Sequence, residues 1–240
     1  MGTNRSSRIT IREVRDSTDP PVRAAYAILR ATFARKERVA MREWVGSLRE
    51  REAQVMSDLS WHLLVAERDG DVIGLASGTY VGSVNLGVIG YLATAPGLRA
   101  RGLGTRLRDR LRRALARDAV RLAGRPLEGI LGEVSRSHPW LRRLARRPEV
   151  LLLDIPYFQP RLYADDQPSP FILYYESLQG VRARIPAGEL RRILYAVWRR
   201  VYRIPRPLER PAFRAMLRAL ARRRWVGRLR LDDGPSPQPS

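Results

Sequence analysis

The order of elements in this chain of 240 residues predicts an α/β (α+β) fold, a mixed central sheet with helices on its faces. Three observations predict it. Short apolar runs bounded by turn residues recur as strands. Segments with apolar residues every three or four positions interrupt them as helices. The resulting order, β-α-α-β-β-β-α-β-α-β-β, is neither the alternation of a doubly wound sheet nor a plain run of hairpins.

The first strand is RITIREV (8–14), where Ile9, Ile11 and Val14 are interleaved with charge. DSTDPP (16–21) offers helix caps ahead of proline. Val22, Tyr26, Leu29 and Phe33 then define helix one, and Met41, Trp44, Val45, Leu48 and Val55 a second helix. WHLLVAE (61–67) and VIGLASGTYV (72–81) are strands joined by the turn RDGD (68–71), a hairpin signal. GSVN (82–85) is a second turn, before the strand LGVIGYLAT (86–94). A helix follows with Leu103, Leu107, Leu111 and Leu115 on one face, then the buried strand LEGILGEV (127–134) and a short helix over 138–147. EVLLLDIPY (149–157) and FILYYESL (171–178) are the last two strands, separated by a proline-bearing loop.

After Leu178 the character changes. One amphipathic helix spans 186–204, with Leu190, Ile193, Leu194, Val197 and Val201 on one face and arginines opposite. A second carries Phe213, Met216, Leu217 and Leu220 and ends in ARRRW (221–225). The expected organisation is a disordered start (1–7), a main domain (8–180), a basic helical extension (181–230) and a disordered Pro/Ser-rich tail (231–240).

Composition narrows the function. Without cysteine there are no disulfides, no thiolate catalysis and no cysteine-metal site. The two histidines, His62 and His138, lie in different contexts, so no metal is expected. No apolar run is long enough to span a membrane and no signal-like stretch opens the chain, so a cytoplasmic protein is expected. Lys and Arg total 45 against 24 acids, a net charge of +21, and Lys36 is the sole lysine. That pattern reads as arginine-rich compositional bias, but the charge still attracts polyanions.

The most informative stretch is TAPGLRARGLGTRLRDRLRRAL (94–115). Pro96, Arg99, Gly102, Gly104 and Thr105 lie between a strand and a helix. The first N–H groups of a helix lack partners and the helix dipole is positive there. Glycines at 102 and 104 let a phosphate approach them. No Gly-Lys-Ser/Thr follows, so this is not a Walker loop, and Leu107 stands where a dinucleotide fingerprint has its third glycine.

This arginine-x-x-glycine-x-glycine signature, in this element order, resembles motif A of the GNAT superfamily of N-acyltransferases. The resemblance covers roughly 8–180 and implies a mixed, mostly antiparallel sheet with flanking helices. It also implies acetyl-CoA as acyl-donor cosubstrate, with no metal. Carried over, Arg101, Gly102, Leu103, Gly104 and Thr105 would hold the pyrophosphate through backbone amides. Leu92, Ala93 and Thr94 would lie along the pantetheine, and Arg99 and Arg106 would add positive charge.

Such chemistry needs a base for the substrate amine, an N–H for the oxyanion and an acid for the departing thiolate. A bulged strand near Leu92 and Ala93 would supply the N–H. Glu133, a carboxylate in an apolar strand, is the first candidate for base or amine contact. It is either functional or a paired structural charge; Glu128, at the strand's beginning, ranks lower. The family often places its acid, a tyrosine, on the helix that here spans 138–147, which has none. Tyr157 is the substitute and Tyr163 the runner-up, and His138 reads as a helix cap. The resulting expectation is acetyl transfer to a primary amine by direct attack, the amine being unspecified.

Two alternatives compete. One is an arginine-rich nucleic-acid- or ribosome-associated module with a non-catalytic fold, stacking bases on Trp198, Tyr202 and Trp225. The other seats the helix 187–203 on an anionic membrane surface. That helix's plainer roles are docking on the core or on a second copy of the chain, as a homodimer.

Overall fold

The computed structural model describes residues 8–98, 102–164 and 167–231. Its strands are β1 (Thr10–Val14), β2 (Leu59–Arg68), β3 (Asp71–Val81), β4 (Leu86–Thr94), β5 (Gly129–Val134), β6 (Val150–Leu152), β7 (Tyr157–Gln159), β8 (Ser169–Ser177), β9 (Ile185–Pro186) and β10 (Trp225–Val226). Its α-helices are α1 (Pro21–Thr32), α2 (Met41–Glu52), α3 (Leu103–Ala123), α4 (Trp140–Ala145), α5 (Ala187–Ala196) and α6 (Pro211–Ala221).

The main sheet runs β1-β2-β3-β4-β5-β8-β6, with β7 also on β8. Every pairing in it is antiparallel except β4 with β5. The fold is therefore the mixed, mostly antiparallel sheet flanked by helices that the sequence predicts. At the β2–β3 hairpin, Asp69 and Gly70 both adopt positive φ (54° and 89°), which keeps the two strands' twist.

Alternation along the strands sorts the core into two faces. On one, Leu103, Leu107, Leu111 and Leu115 of α3 pack with Leu64, Ala76, Tyr80 and Ile130. On the other, α1 and α2 cover β2–β4 through Val22, Leu29, Trp44, Leu63 and Leu75. Beside them α5 and α6 bury Leu190, Leu194, Trp198 and Phe213 against Val88, Leu131 and Tyr175. The 186–204 helix thus docks its apolar face on the sheet, the plainer of its expected roles. No described helix is long and apolar enough to cross a membrane.

Several local expectations need correction. No side chain caps α1: its N-cap is Pro20, Asp16 is turned onto Thr18, and Asp19 pairs with Arg12. Val55 lies beyond α2 and is exposed. The stretch 149–157 is two strands, because after Leu153, whose N–H still reaches Leu173 O on β8, the N–H of Asp154 goes to Gly227 O. α5 passes into a π-helical turn over Val197–Val201, and Arg203 then has φ 56°. Such a turn shifts the register of side chains by one position, which the 3.6-residue pattern does not foresee. Trp198 is buried against Phe213 (ring centroids 5.0 Å apart), and Tyr202 points inward; neither offers a stacking surface for nucleic acid. Arg99, Arg101 and the terminal stretches 1–7 and 232–240, for which the sequence raises expectations, lie outside the described residues.

Candidate active site

β4 and β5 pair only over Leu86–Val88 with Gly129–Leu131. In β4 the register slips at Gly90, since Ser77 faces Tyr91 while Gly78 faces Ile89. The bulge therefore lies two residues before the Leu92–Ala93 position expected for it. A bulge bends its strand, and beyond it β4 and β5 are no longer paired. From Ile89 to Thr94, β4 pairs only with β3, so one edge of backbone groups faces the gap. Leu92, Ala93 and Thr94 lie on that edge, opposite Ala76, Leu75 and Gly74.

At the end of the same strand the loop turns into α3. Gly102 is the N-cap with φ 71° and ψ 3°, a left-handed conformation that favours glycine. No side chain caps the helix and its first turn has no acid. The amides of Leu103, Gly104 and Thr105 have no intrahelical acceptor. A Cβ placed on Gly102 or Gly104 meets nothing within 4 Å, so the approach to these amides is open. An uncapped, acid-free helix start, with no described atom within 4 Å of a Cβ at Gly102 or Gly104, fits a pyrophosphate. Arg106, expected near the phosphates, instead sends its guanidinium to Ile9 O.

The gap opens onto the face covered by α1 and α2, where a cavity of about 710 Å³ is lined by β3, β4, β5, the α1–α2 segment and residues 200–204. Glu133 reaches it from β5. Its Oε1 accepts two hydrogen bonds, from Tyr157 Oη at 2.5 Å and from Tyr202 Oη at 2.6 Å. Burial pushes the carboxyl up to about 7, and the two phenols pull against that rise. Burial beside Glu133 raises both phenols well above their ordinary range, so they stay protonated and donate. No described group bonds Glu133 Oε2.

The structure therefore brings Glu133 and Tyr157 together but does not place them equally. Tyr157 is 1% exposed and lies behind Glu133, off the cavity wall. Tyr202, from the C-terminal helical region, lines the wall. Tyr163, the runner-up acid, also lines the cavity but donates to Arg38 O. His138 caps α4 by accepting the N–H of Trp140. Glu128 sits at the far end of β5 and pairs with Arg125.

Sequence reasoning missed Tyr202 as a partner of Glu133, and also missed the aromatic wall. Trp44 sits 5.9 Å from Trp61 and 6.2 Å from Tyr91, and Phe33 sits 5.3 Å from Tyr91. Tyr91 Oη accepts the N–H of Val39 and donates to Glu37 O, which ties the α1–α2 segment to β4. A recurring tryptophan, tyrosine or phenylalanine at core positions carries no sign of facing a cavity.

Residues 24–124 match the model of the acetyltransferase (GNAT) family. No curated protein matches the sequence. Among solved structures, a GNAT-family protein from Bacteroides thetaiotaomicron is similar in fold at 18% identity and TM-score 0.58, over 81% of this chain and 99% of its own. The yncA protein of Salmonella typhimurium, solved with its cofactor acetyl-CoA, gives 19% identity and TM-score 0.49, over 74% and 98%. The ribosomal-protein-S18-alanine N-acetyltransferase of Escherichia coli gives 17% and 0.48, over 72% and 97%.

Proposed function

We propose that this chain, whose residues 24–124 match the GNAT acetyltransferase family model, transfers an acetyl group from acetyl-CoA to a primary amine by direct attack, with Glu133 as base. The observation that carries this reading is the state of Glu133. It faces the cavity at the mouth of the β4–β5 gap, holds Oε1 on two phenols and leaves Oε2 free. Its carboxyl, pushed up to about 7, suits proton transfer near neutral pH.

An amine arrives as an ammonium and attacks only once it has lost a proton. Oε2 takes that proton. Tyr157 and Tyr202 are positioning residues, since their paired hydrogen bonds fix the carboxylate's orientation. Tyr202 also lines the cavity, so of the two phenols it is the better candidate to return a proton toward the departing sulfur. Acetyl-CoA supplies the acyl carbon as a thioester. The free amides of Leu103, Gly104 and Thr105 would hold its pyrophosphate, and the unpaired edge at Leu92, Ala93 and Thr94 its pantetheine. There is no cysteine to form an acyl-enzyme. Because Tyr202 belongs to the site, the catalytic unit extends from residue 8 through the helices of 181–230 rather than ending near 180.

The test is calorimetric titration of acetyl-CoA into the wild type and Gly104→Glu at two salt concentrations. A Cβ at 104 meets nothing, so the fold accepts the substitution while the new carboxylate occupies the phosphate's place. Salt-tolerant wild-type binding that the variant loses supports the reading. Equal, weak binding abolished by salt in both would mean that only the bulk arginine charge attracts the ligand.

A further inference from the structure

Resting on that reading, we propose that the acceptor is a small monoamine carried on an aromatic or apolar body, and not a polyamine or a polypeptide. Three independent observations point there: the wall, the charges and the roof.

The wall opposite Glu133 is aromatic. Phe33, Trp44, Trp61 and Tyr91 touch one another in a continuous row, and all four line the cavity. Such a surface gains from burying a flat apolar group and tolerates a nearby cation.

The charges mark out Glu133 as a place for a cation. Among the described carboxylates of the cavity, Glu50 is paired with Arg203 and Glu43 with Arg42, and Glu37 accepts the N–H of Ala34. Glu133 is met by phenols rather than by any cation. Arg42 and Arg203 are taken up in those pairs and Arg200 in one with Asp58, while Arg161 on the same wall has no described carboxylate partner and disfavours a second positive charge. Two further polar atoms wait in the wall. Ser77 Oγ and Gln159 Oε1 belong to residues 1% and 6% exposed and have no described partner. Gln159 lies on the same side of β7 as Tyr157, so its carbonyl oxygen can accept a second N–H of the amine bound at Glu133.

The roof excludes a chain. On one side Tyr163 Oη donates to Arg38 O, with the guanidinium of Arg35 4.1 Å over its ring, so the 160–164 loop is tied to the α1–α2 segment. On the other side the C-terminal strap is tied down twice. Arg203 pairs with Glu50 and reaches Ser47 on α2, and Arg200 pairs with Asp58. An extended polypeptide would have to lie across these ties, whereas a small molecule fits beneath them.

The experiment follows thiol release from acetyl-CoA, which is clean because the protein has no cysteine of its own. Acceptors are 2-phenylethylamine, tryptamine, spermidine, an alanine-first peptide and a lysine peptide. The expected result is a kcat/KM for the two arylalkylamines at least about tenfold above the others, the margin of roughly one well-packed ring. Trp61→Ala should raise their KM about tenfold with little change in kcat, a split that general misfolding would not give. Arg203→Ala, which cuts the strap, should raise the peptide-to-phenylethylamine ratio. Preference for spermidine or a peptide overturns the inference and leaves the transferase reading intact. So does acetyl-CoA binding with no arylalkylamine turned over. Failure of acetyl-CoA to bind at all removes the transferase reading itself, and this inference falls with it.

Discussion

Glu133→Gln should make the protein more stable at alkaline pH while abolishing turnover. Burial holds the Glu133 carboxyl at about 7 in the fold, against an ordinary 4.5 in the unfolded chain. Between those values the unfolded chain has lost its proton and the folded one has kept it. Stability therefore falls as pH rises from about 4.5 to about 7 and stays lower above that. At 1.36 kcal/mol per pH unit the full cost is ~3 kcal/mol, an upper value because water in the cavity softens it. Glutamine keeps a carbonyl oxygen for the hydrogen bonds from Tyr157 and Tyr202 and carries no charge. For a chain of this size 1 kcal/mol moves Tm by about 2–4 °C, so the variant should melt above the wild type at pH 8 by at most about 6–12 °C. At pH 4.5 the two should nearly coincide. Differential scanning calorimetry across that range reads the effect directly. A Tm difference that does not depend on pH would refute the account of Glu133 as a carboxyl whose proton the fold holds by desolvation.

Tyr202→Phe removes one of two donors to Glu133 Oε1 and should move the acidic limb of the kcat/KM–pH profile upward by about one unit, since a hydrogen bond to a charged group contributes roughly 1.5 kcal/mol or more. A limb that stays in place would show that Tyr202 does not tune the base. His62 sits between Glu13 (2.5 Å) and Asp118 (2.7 Å), whose hydrogen bonds raise its imidazole against the opposing effect of burial. Its contribution is fully present below about pH 6.5 and is lost as pH rises through the folded value. At the acid end, the same contacts hold Glu13 down at about 2, so its share is lost only in strong acid. His62→Gln should therefore cost about 3 kcal/mol in urea unfolding at pH 5.5 and clearly less at pH 9. Gly132→Ala would drive its Cβ into the Tyr174 ring and should lower stability by about 1–3 kcal/mol, measured as a drop in Tm.

The parts of the fold legible in the sequence are those specified by nearby residues. RDGD carries its own turn, and the leucines of α3 repeat at helical spacing. The loop before α3 announces itself because Gly102 must adopt a positive φ next to a helix start. What escaped reading depends on distant chain. The apolar run 149–157 looks continuous until Leu153 meets Arg228 and Asp154 turns to Gly227, contacts made by a segment more than 70 residues later. β9 and β10 are two residues each, too short to leave a period. The π-helical turn at Val197–Val201 leaves no composition of its own, yet it is the turn that delivers Tyr202 to the site.

Two glutamates make the limit concrete. Glu133 and Glu176 are each one carboxylate in an apolar strand, and neighbouring residues give no reason to separate them. They differ in what reaches them from afar. On the α3 face, Glu176 is fully buried and meets Arg108 from α3, with Arg112 and Arg147 on its other oxygen. That cluster compensates the charge and leaves nothing for a ligand to gain. On the opposite face, Glu133 meets only phenols, which hold a carboxylate in place without neutralising it. The decisive partners, Arg108 and Tyr202, lie 68 and 69 residues from their glutamates. Both glutamates thus carry the same local pattern, and the sheet's two faces decide that one is structural and the other is open to chemistry. A buried carboxylate left without a cation is unfavourable for the fold. If Glu133 is the base, the cation it lacks is the one an ammonium substrate would bring.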